Sequence, residues 1–391
     1  MKKRIILFCV FLAIFSQMIF MGEHNVFYAN YISLLVLPIF LFSLKTIKFS
    51  YHIKVLISLQ VLIICSYLWT DEQSSITLKS YYPFFITTFF ILSIYNLMIQ
   101  QKSIRPIYWA FWLCSLFNFL ILLKILPQEL FFVLEYWEKR FYGTFNNPNV
   151  GAMAFVFSLL FADYELKNKI KSNIYFYFLV TIILISTVLV FVTLSKKGLV
   201  LVILYLLSKL YVKKGSSLFT KRSLLFFSLF LLSINFIPSG FISDLSDNTL
   251  NRVNVSLAQS NSNSAFVTGS TTERLYFIDR GINGFFDAPF FGHGFKSFES
   301  KFTLYSHNNY IEFLYSFGLI GLFLYYSMYF KIYKMAFKVD ANTKVLFLFS
   351  LLCLSFIDIA AVTYSTKTIQ YFICVLFILF ETQQHKVTNN G

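Results

Sequence analysis

Long apolar runs separated by short polar gaps set the pattern of this chain. Runs near the roughly 20 residues that a helix needs to cross a bilayer recur at 5–21, 26–44, 53–69, 81–99, 107–126, 149–163, 173–194, 198–212, 223–240, 306–330, 345–362 and 368–383. They predict an all-α polytopic membrane protein with about twelve transmembrane helices. The Met-Lys-Lys-Arg ahead of the first run resembles a signal peptide's charged start. No small-residue cleavage site follows, so that run is expected to stay as a helix. The long polar stretch 241–305 is expected to be one large extracytoplasmic loop within a single integral membrane domain, 1–391.

Composition supports the pattern. The chain is 57% hydrophobic and only 13% charged, whereas soluble chains carry roughly 25% charged residues. The net charge of +15 would suggest nucleic acid in a soluble protein. Here the basic residues sit in gaps between apolar runs, so they read as topology and no nucleic acid is expected. Placing both termini in the cytoplasm puts most of the 33 Lys and Arg inside, as the positive-inside rule expects. The stretches 127–149 and 241–305, and His307, then lie outside. The five cysteines all fall within apolar runs, with no CxxC pair, so neither a disulfide framework nor a metal site is suggested. No GxxxxGK[ST] motif occurs. Chemistry outside the cell would therefore use a pre-activated substrate rather than ATP.

Four stretches carry residues able to do chemistry. In "SHNNYIEFLYSFGLIGLFLYY", Ser306–Tyr326, positions 307, 311, 314, 318, 321 and 325 recur at helical spacing. They predict one face bearing His307, Gly318 and Gly321, with the glycines admitting a neighbouring helix. Asn308 and Glu312 would share an adjacent face. A boundary His also suits an interfacial anchor, whereas a carboxylate such as Glu312 within a span is costly and usually functional. In "GSTTERLYFIDRGINGFFDAPFFGHGF", Gly269–Phe295, Ser270 and Glu273 fit a capping box. A short amphipathic helix follows, its stripe being Leu275, Ile278, Ile282, Phe285 and Phe286, and Pro289 ends it. Arg274 falls at the stripe's edge and Arg280 on the opposite, watery face. In "TLSKKGL", Thr193–Leu199, Lys196 and Lys197 occupy a short outer turn. They are either an exception to the charge rule or a pair that neutralises phosphate. In "GTFNNPNVGA", Gly143–Ala152, Asn147 and Pro148 supply a helix start, with Lys139 and Arg140 as further outer cations.

Taken in this order, the four stretches resemble the family of O-antigen polymerases and ligases. The resemblance rests on the N-P-N of Asn147–Asn149, the basic outer turn, and Arg274 beginning an amphipathic segment. It rests also on "PFFGHG", Pro289–Gly294, and on "HNNYIEFLYSFGLIG", His307–Gly321. One departure is Lys196-Lys197 where the family usually has Arg. Lysine keeps the charge but loses the bidentate fork.

The resemblance implies a glycosyltransferase that needs no metal or other cofactor and acts at the outer face of a bacterial cytoplasmic membrane. Its donor would be an undecaprenyl-diphosphate-linked oligosaccharide. His307 would be the general base, Arg274 with Lys196 or Lys197 would bind the diphosphate, and Glu312 would orient His307. Asn308, Asn147 and Asn149 would contact sugar or acceptor. "NNPN" and "HNNYIEFL" look more like polymerase than ligase sequences. A ligase transferring glycan to lipid A core is the first alternative. A flippase-type transporter is the second, though no internal repeat is seen. Membrane lipid, a chain-length regulator and a flippase of the same pathway would be partners.

Overall fold

The computed structural model describes residues 2–20, 36–43, 46–70, 75–127, 141, 143–145, 147–167, 172–211, 270–359 and 361–388. The expected span 223–240 and the first part of the expected loop, 241–269, lie outside them. Within them every regular element is a helix. In chain order these are α1 (Lys2–Ile19), α2 (Val36–Ser43), α3 (Tyr51–Ser66), α4 (Ser75–Gln101), α5 (Arg105–Leu122), α6 (Pro148–Lys167), α7 (Asn173–Val192) and α8 (Lys196–Tyr211). After the undescribed segment follow α9 (Ser270–Asp287), α10 (Ser297–Phe302), α11 (Asn309–Ala336), α12 (Ala341–Asp358) and α13 (Lys367–Thr388).

Among the described residues six helical stretches are long and apolar enough to cross a membrane. They lie in α4, α5, α6, α7, α11 and α12, the one in α11 being interrupted at Gly318, and together they identify a membrane protein. Caps fix several helix starts where the sequence turns from polar to apolar. The Ser50 hydroxyl accepts from Ile53 N at 3.3 Å, and Ser172 accepts from Tyr175 N at 3.5 Å. Each hydrogen bond meets a backbone N–H that the helix itself leaves unpaired.

The chain divides into two compact units. The first comprises 1–7, 35–104 and 265–391, the second 8–34 and 105–264. In the second unit α5, α6, α7 and α8 pack on one another. Aromatic rings fill much of that core, as where Tyr108 meets Phe161 at 4.7 Å and Trp109 meets Phe178 at 5.1 Å. The Ser186 hydroxyl bonds Ser115 and Ser158 at 3.3 and 3.2 Å. Such small polar residues join helices where burial alone gives no drive in lipid. In the first unit α11 is the centre, packed by α3, α9, α10, α12 and α13.

Candidate functional site

The helix α9 has two faces of different character. Phe277, Gly281 and Gly284 are buried. They form a tight seam, because a Cβ on Gly281 would stand 2.2 Å from the Ile311 side chain and one on Gly284 2.3 Å from the Tyr315 ring. Phe277, Phe298, Ile311 and Tyr315 close the core under this seam. The expected stripe is a separate face, with Leu275, Ile282 and Phe286 exposed and Ile278 and Phe285 half-buried. The two glycines that make the seam read in the sequence as gaps in that stripe. Arg274 is half-buried, one turn before Phe277. Arg280 is exposed and lies over the Tyr276 ring at 5.1 Å. The expected inequality of the two arginines is therefore present, set by the seam. The side chains of Ser270 and Glu273, the expected capping box, lie outside the described residues.

His307 does not belong to the helix that follows it, which corrects the expected common face. Its φ is 56°, a left-handed conformation that ends local regularity. Asn308 is the N-cap of α11, its side-chain oxygen accepting from Tyr310 N at 2.9 Å and Ile311 N at 3.2 Å. The Asn308 oxygen that the sequence offers to sugar is thus engaged by backbone. The His307 ring is half-buried, 4.1 Å from the Tyr305 ring and 6.2 Å from the Phe277 ring. Through Phe277 it reaches the same helix face as Arg274, at i and i+3, a spacing that brings Cβ atoms within about 6 Å. Glu312 is 2% exposed. Its carboxylate accepts from Ser306 N at 3.2 Å and from the Ser316 hydroxyl at 3.5 Å. It therefore holds the residue immediately before His307. Ser306 in turn donates its hydroxyl to Asn308 O at 2.7 Å.

The glycines of this segment act differently from expectation. Gly318 has φ 60° and ψ −158° and breaks α11. In one continuous helix Asn309 and Tyr326 would stand roughly 25 Å apart. Instead the Asn309 amide nitrogen donates to the Tyr326 hydroxyl at 3.1 Å, and the Tyr310 and Tyr326 rings stack at 4.7 Å. The chain therefore folds back at Gly318. What occupies the break is a loop, not a neighbouring helix. His293 N and Gly294 N donate to Tyr315 O and Ser316 O at 2.9 and 2.8 Å. Leu319 N and Ile320 N donate to Pro289 O and Phe290 O at 2.9 and 3.2 Å. Four backbone groups freed by the break are thus satisfied by "PFFGHG", as an apolar environment requires. The approach demands glycine on both sides. A Cβ on Gly318 would stand 2.4 Å from Phe290 C, and one on Gly292, whose φ is 65°, 2.5 Å from Phe317 N. Gly321 serves the same fold-back, since a Cβ there would meet Phe317 Cβ at 2.1 Å. The His293 ring nitrogen bonds Gly284 O at 2.8 Å, tying the loop to α9.

In the second unit, two stretches singled out separately in the sequence meet. Asn147 accepts from Asn149 N at 2.8 Å at the start of α6, so Pro148 begins that helix as expected. The Asn149 side-chain oxygen accepts from the Ser195 hydroxyl at 2.9 Å. Ser195 also accepts from Gly198 N at 3.3 Å at the start of α8. Lys197 is 9% exposed beside it. Gly198 lets α8 close on α6, since a Cβ would lie 2.8 Å from Ala152 Cβ. Before α6, Gly143 has φ 59°, and Asn118 accepts from Thr144 N at 2.7 Å. The Lys196 side chain, Lys139 and Arg140 lie outside the described residues.

The motif order, the surroundings of His307 and the basic helix start can now be set beside known families. Residues 180–326 match the family model described as O-antigen ligase. That stretch is less than half of the chain, and it contains the basic turn, α9, the "PFFGHG" loop, His307 and the Gly318 break. The resemblance to O-antigen polymerases and ligases is borne out over it. No curated protein matches the chain.

Proposed function

We propose that this protein transfers a glycan from a lipid diphosphate to a sugar hydroxyl at the outer face of the cytoplasmic membrane, and that it acts as a polymerase of lipid-linked repeat units. One observation carries the reading. His307 lies on Phe277, one turn from Arg274, while the buried Glu312 holds the backbone of Ser306. His307 and Arg274 thus both border Phe277.

In the reaction the acceptor hydroxyl gives its proton to a His307 ring nitrogen. Its oxygen forms the new bond to the anomeric carbon, and the bond from that carbon to the diphosphate breaks. The electron pair leaves on the diphosphate, where the guanidinium of Arg274 offsets the growing negative charge. Histidine's ordinary pKa suits it to take the proton near neutral pH. Lys196 and Lys197 are assigned to phosphate neutralisation from the resemblance of their turn to the family's basic turn alone. A chain-length regulator and a flippase of the pathway are its working partners.

A ligase is the second reading, favoured by the description of the matching family model. The glycan pattern of a strain carrying His307→Ala separates the readings. A polymerase defect leaves single repeat units on the final acceptor. A ligase defect leaves long lipid-linked chains and a bare acceptor. A flippase defect strands single units on the cytoplasmic side. Wild-type chain lengths with normal expression of His307→Ala would remove the assignment.

A further inference from the structure

The proposed mechanism makes no use of a buried polar ring at the start of α11. Asp358 ends α12 and is fully buried. One of its oxygens accepts from Tyr326 OH at 3.0 Å and Tyr329 OH at 2.8 Å. The other accepts from the Thr363 hydroxyl. Tyr326 OH accepts from the Asn309 amide nitrogen at 3.1 Å. The Asn309 oxygen accepts from Thr363 N at 3.0 Å and Tyr364 N at 3.4 Å. Asp358, Tyr326, Asn309 and Thr363 thus close a hydrogen-bonded ring drawn from both halves of α11, from α12 and from the segment before α13. Asn309, the first residue of α11, is fully buried in it.

A closed ring of this kind specifies position more than it adds stability. A buried carboxylate gains little net energy from its partners, yet every group in the ring has a definite direction. Asn309 has both ends of its amide engaged, so it cannot turn without leaving a buried group unpaired. It follows His307 by two residues. Glu312 fixes Ser306 on the other side. The left-handed backbone of His307 is therefore pinned before and after.

We propose that Asp358, through Tyr326, Thr363 and Asn309, is the positioning group that sets the place of His307. The inference deepens the proposed function and rests on it only for the effect on turnover. The ring would contact no substrate. Its loss would let His307 drift, and misplacing a catalytic group by about 1 Å costs on the order of 100-fold.

The test uses the full chain in detergent with Tyr326→Phe and Thr363→Val, each of which removes one oxygen and keeps the shape. Ser350→Ala, which removes an intrahelical bond in α12, is the control. Carbethoxylation of His307, measured by mass spectrometry as a ratio to that of His293, reads the position of the ring without any assay of activity. Turnover is read with lipid-linked glycan extracted from cells lacking the protein. We expect both ring variants to change the ratio by about 3-fold or more, and to lower turnover by about 10-fold or more with donor KM nearly unchanged. Ser350→Ala should change neither. Wild-type ratio and turnover in whichever ring variant is recovered would overturn the inference. So would lost turnover at an unchanged ratio, since the ring would then be a stabilising feature alone. If His307→Ala is fully active, the catalytic reading fails, while the ratio still decides whether the ring positions His307.

Discussion

The two units carry their polar residues on different kinds of backbone. In the second unit, Asn147, Asn149, Ser195 and Lys197 sit at the starts of α6 and α8. There Asn147 and Ser195 accept from the backbone N–H groups of Asn149 and Gly198, two and three residues on. In the first unit, His307 sits in left-handed backbone before a helix that folds back on itself, and a distant loop completes the broken hydrogen bonds. A capped helix start follows from its own few residues. A break in a helix follows from whatever fills it. Residues placed in the second way are precise only while the tertiary interlock holds.

The largest effects are expected at the chemistry. His307→Ala and Arg274→Ala are each expected to lower transfer by about 100- to 10,000-fold, the range for loss of a general base. Arg280→Ala should stay near wild type, as quantified from glycan chain lengths and in vitro turnover. Combined Lys196→Ala and Lys197→Ala should abolish activity if they neutralise phosphate, and a fully active double variant would reduce the second unit's turn to a topological exception. Next comes the backbone. Gly318→Ala places a Cβ against Phe290 in a conformation that only glycine adopts readily, so a loss of about 3 kcal/mol or more is expected in detergent unfolding. Gly198→Ala meets side chains rather than backbone, those of Ala152, Val190 and Ser195, and overpacking there should cost about 1–3 kcal/mol. Equal losses would erase the difference between the units.

Single hydrogen bonds give smaller effects. Glu312→Ala leaves Ser306 N–H buried, for which about 1–3 kcal/mol is expected, and it should disturb His307. Ser195→Ala should cost about 1 kcal/mol as a lost cap. The smallest effect concerns Asp340, the N-cap of α12. Burial pulls its carboxyl upward, but hydrogen bonds from Thr343, Gln383 and Asn342 outweigh that and hold it below its ordinary value. A depressed folded pKa means that the contribution is present above the unfolded value of about 3.9. It is lost as pH falls through the lower folded value. Asp340→Asn, which still caps, should flatten this acid limb of the stability curve.

The hydrophobic pattern placed helices close to where they occur, as at α6, α7 and α12, because apolar runs and caps are local. Asn147-Pro148 marked the start of α6. The buried face of α9 was not legible, because Gly281 and Gly284 read as gaps in the apolar stripe. The expected common face of His307, Gly318 and Gly321 failed, because spacing assumes an unbroken helix. Two glycines look alike in sequence whether they admit a helix or a loop. Asn309 and Asp358 carried no signal, since apart from Thr363, five residues after Asp358, their partners lie 17 to 55 residues away in the chain. A helical membrane protein, its basic gaps and the residue types that chemistry can use were all readable from composition and spacing. Only the tertiary structure decided that α11 reverses at Gly318 and that "PFFGHG" fills the break. The physical reason is that backbone groups freed in an apolar environment take whatever partner the fold brings, and that partner comes from a different part of the chain.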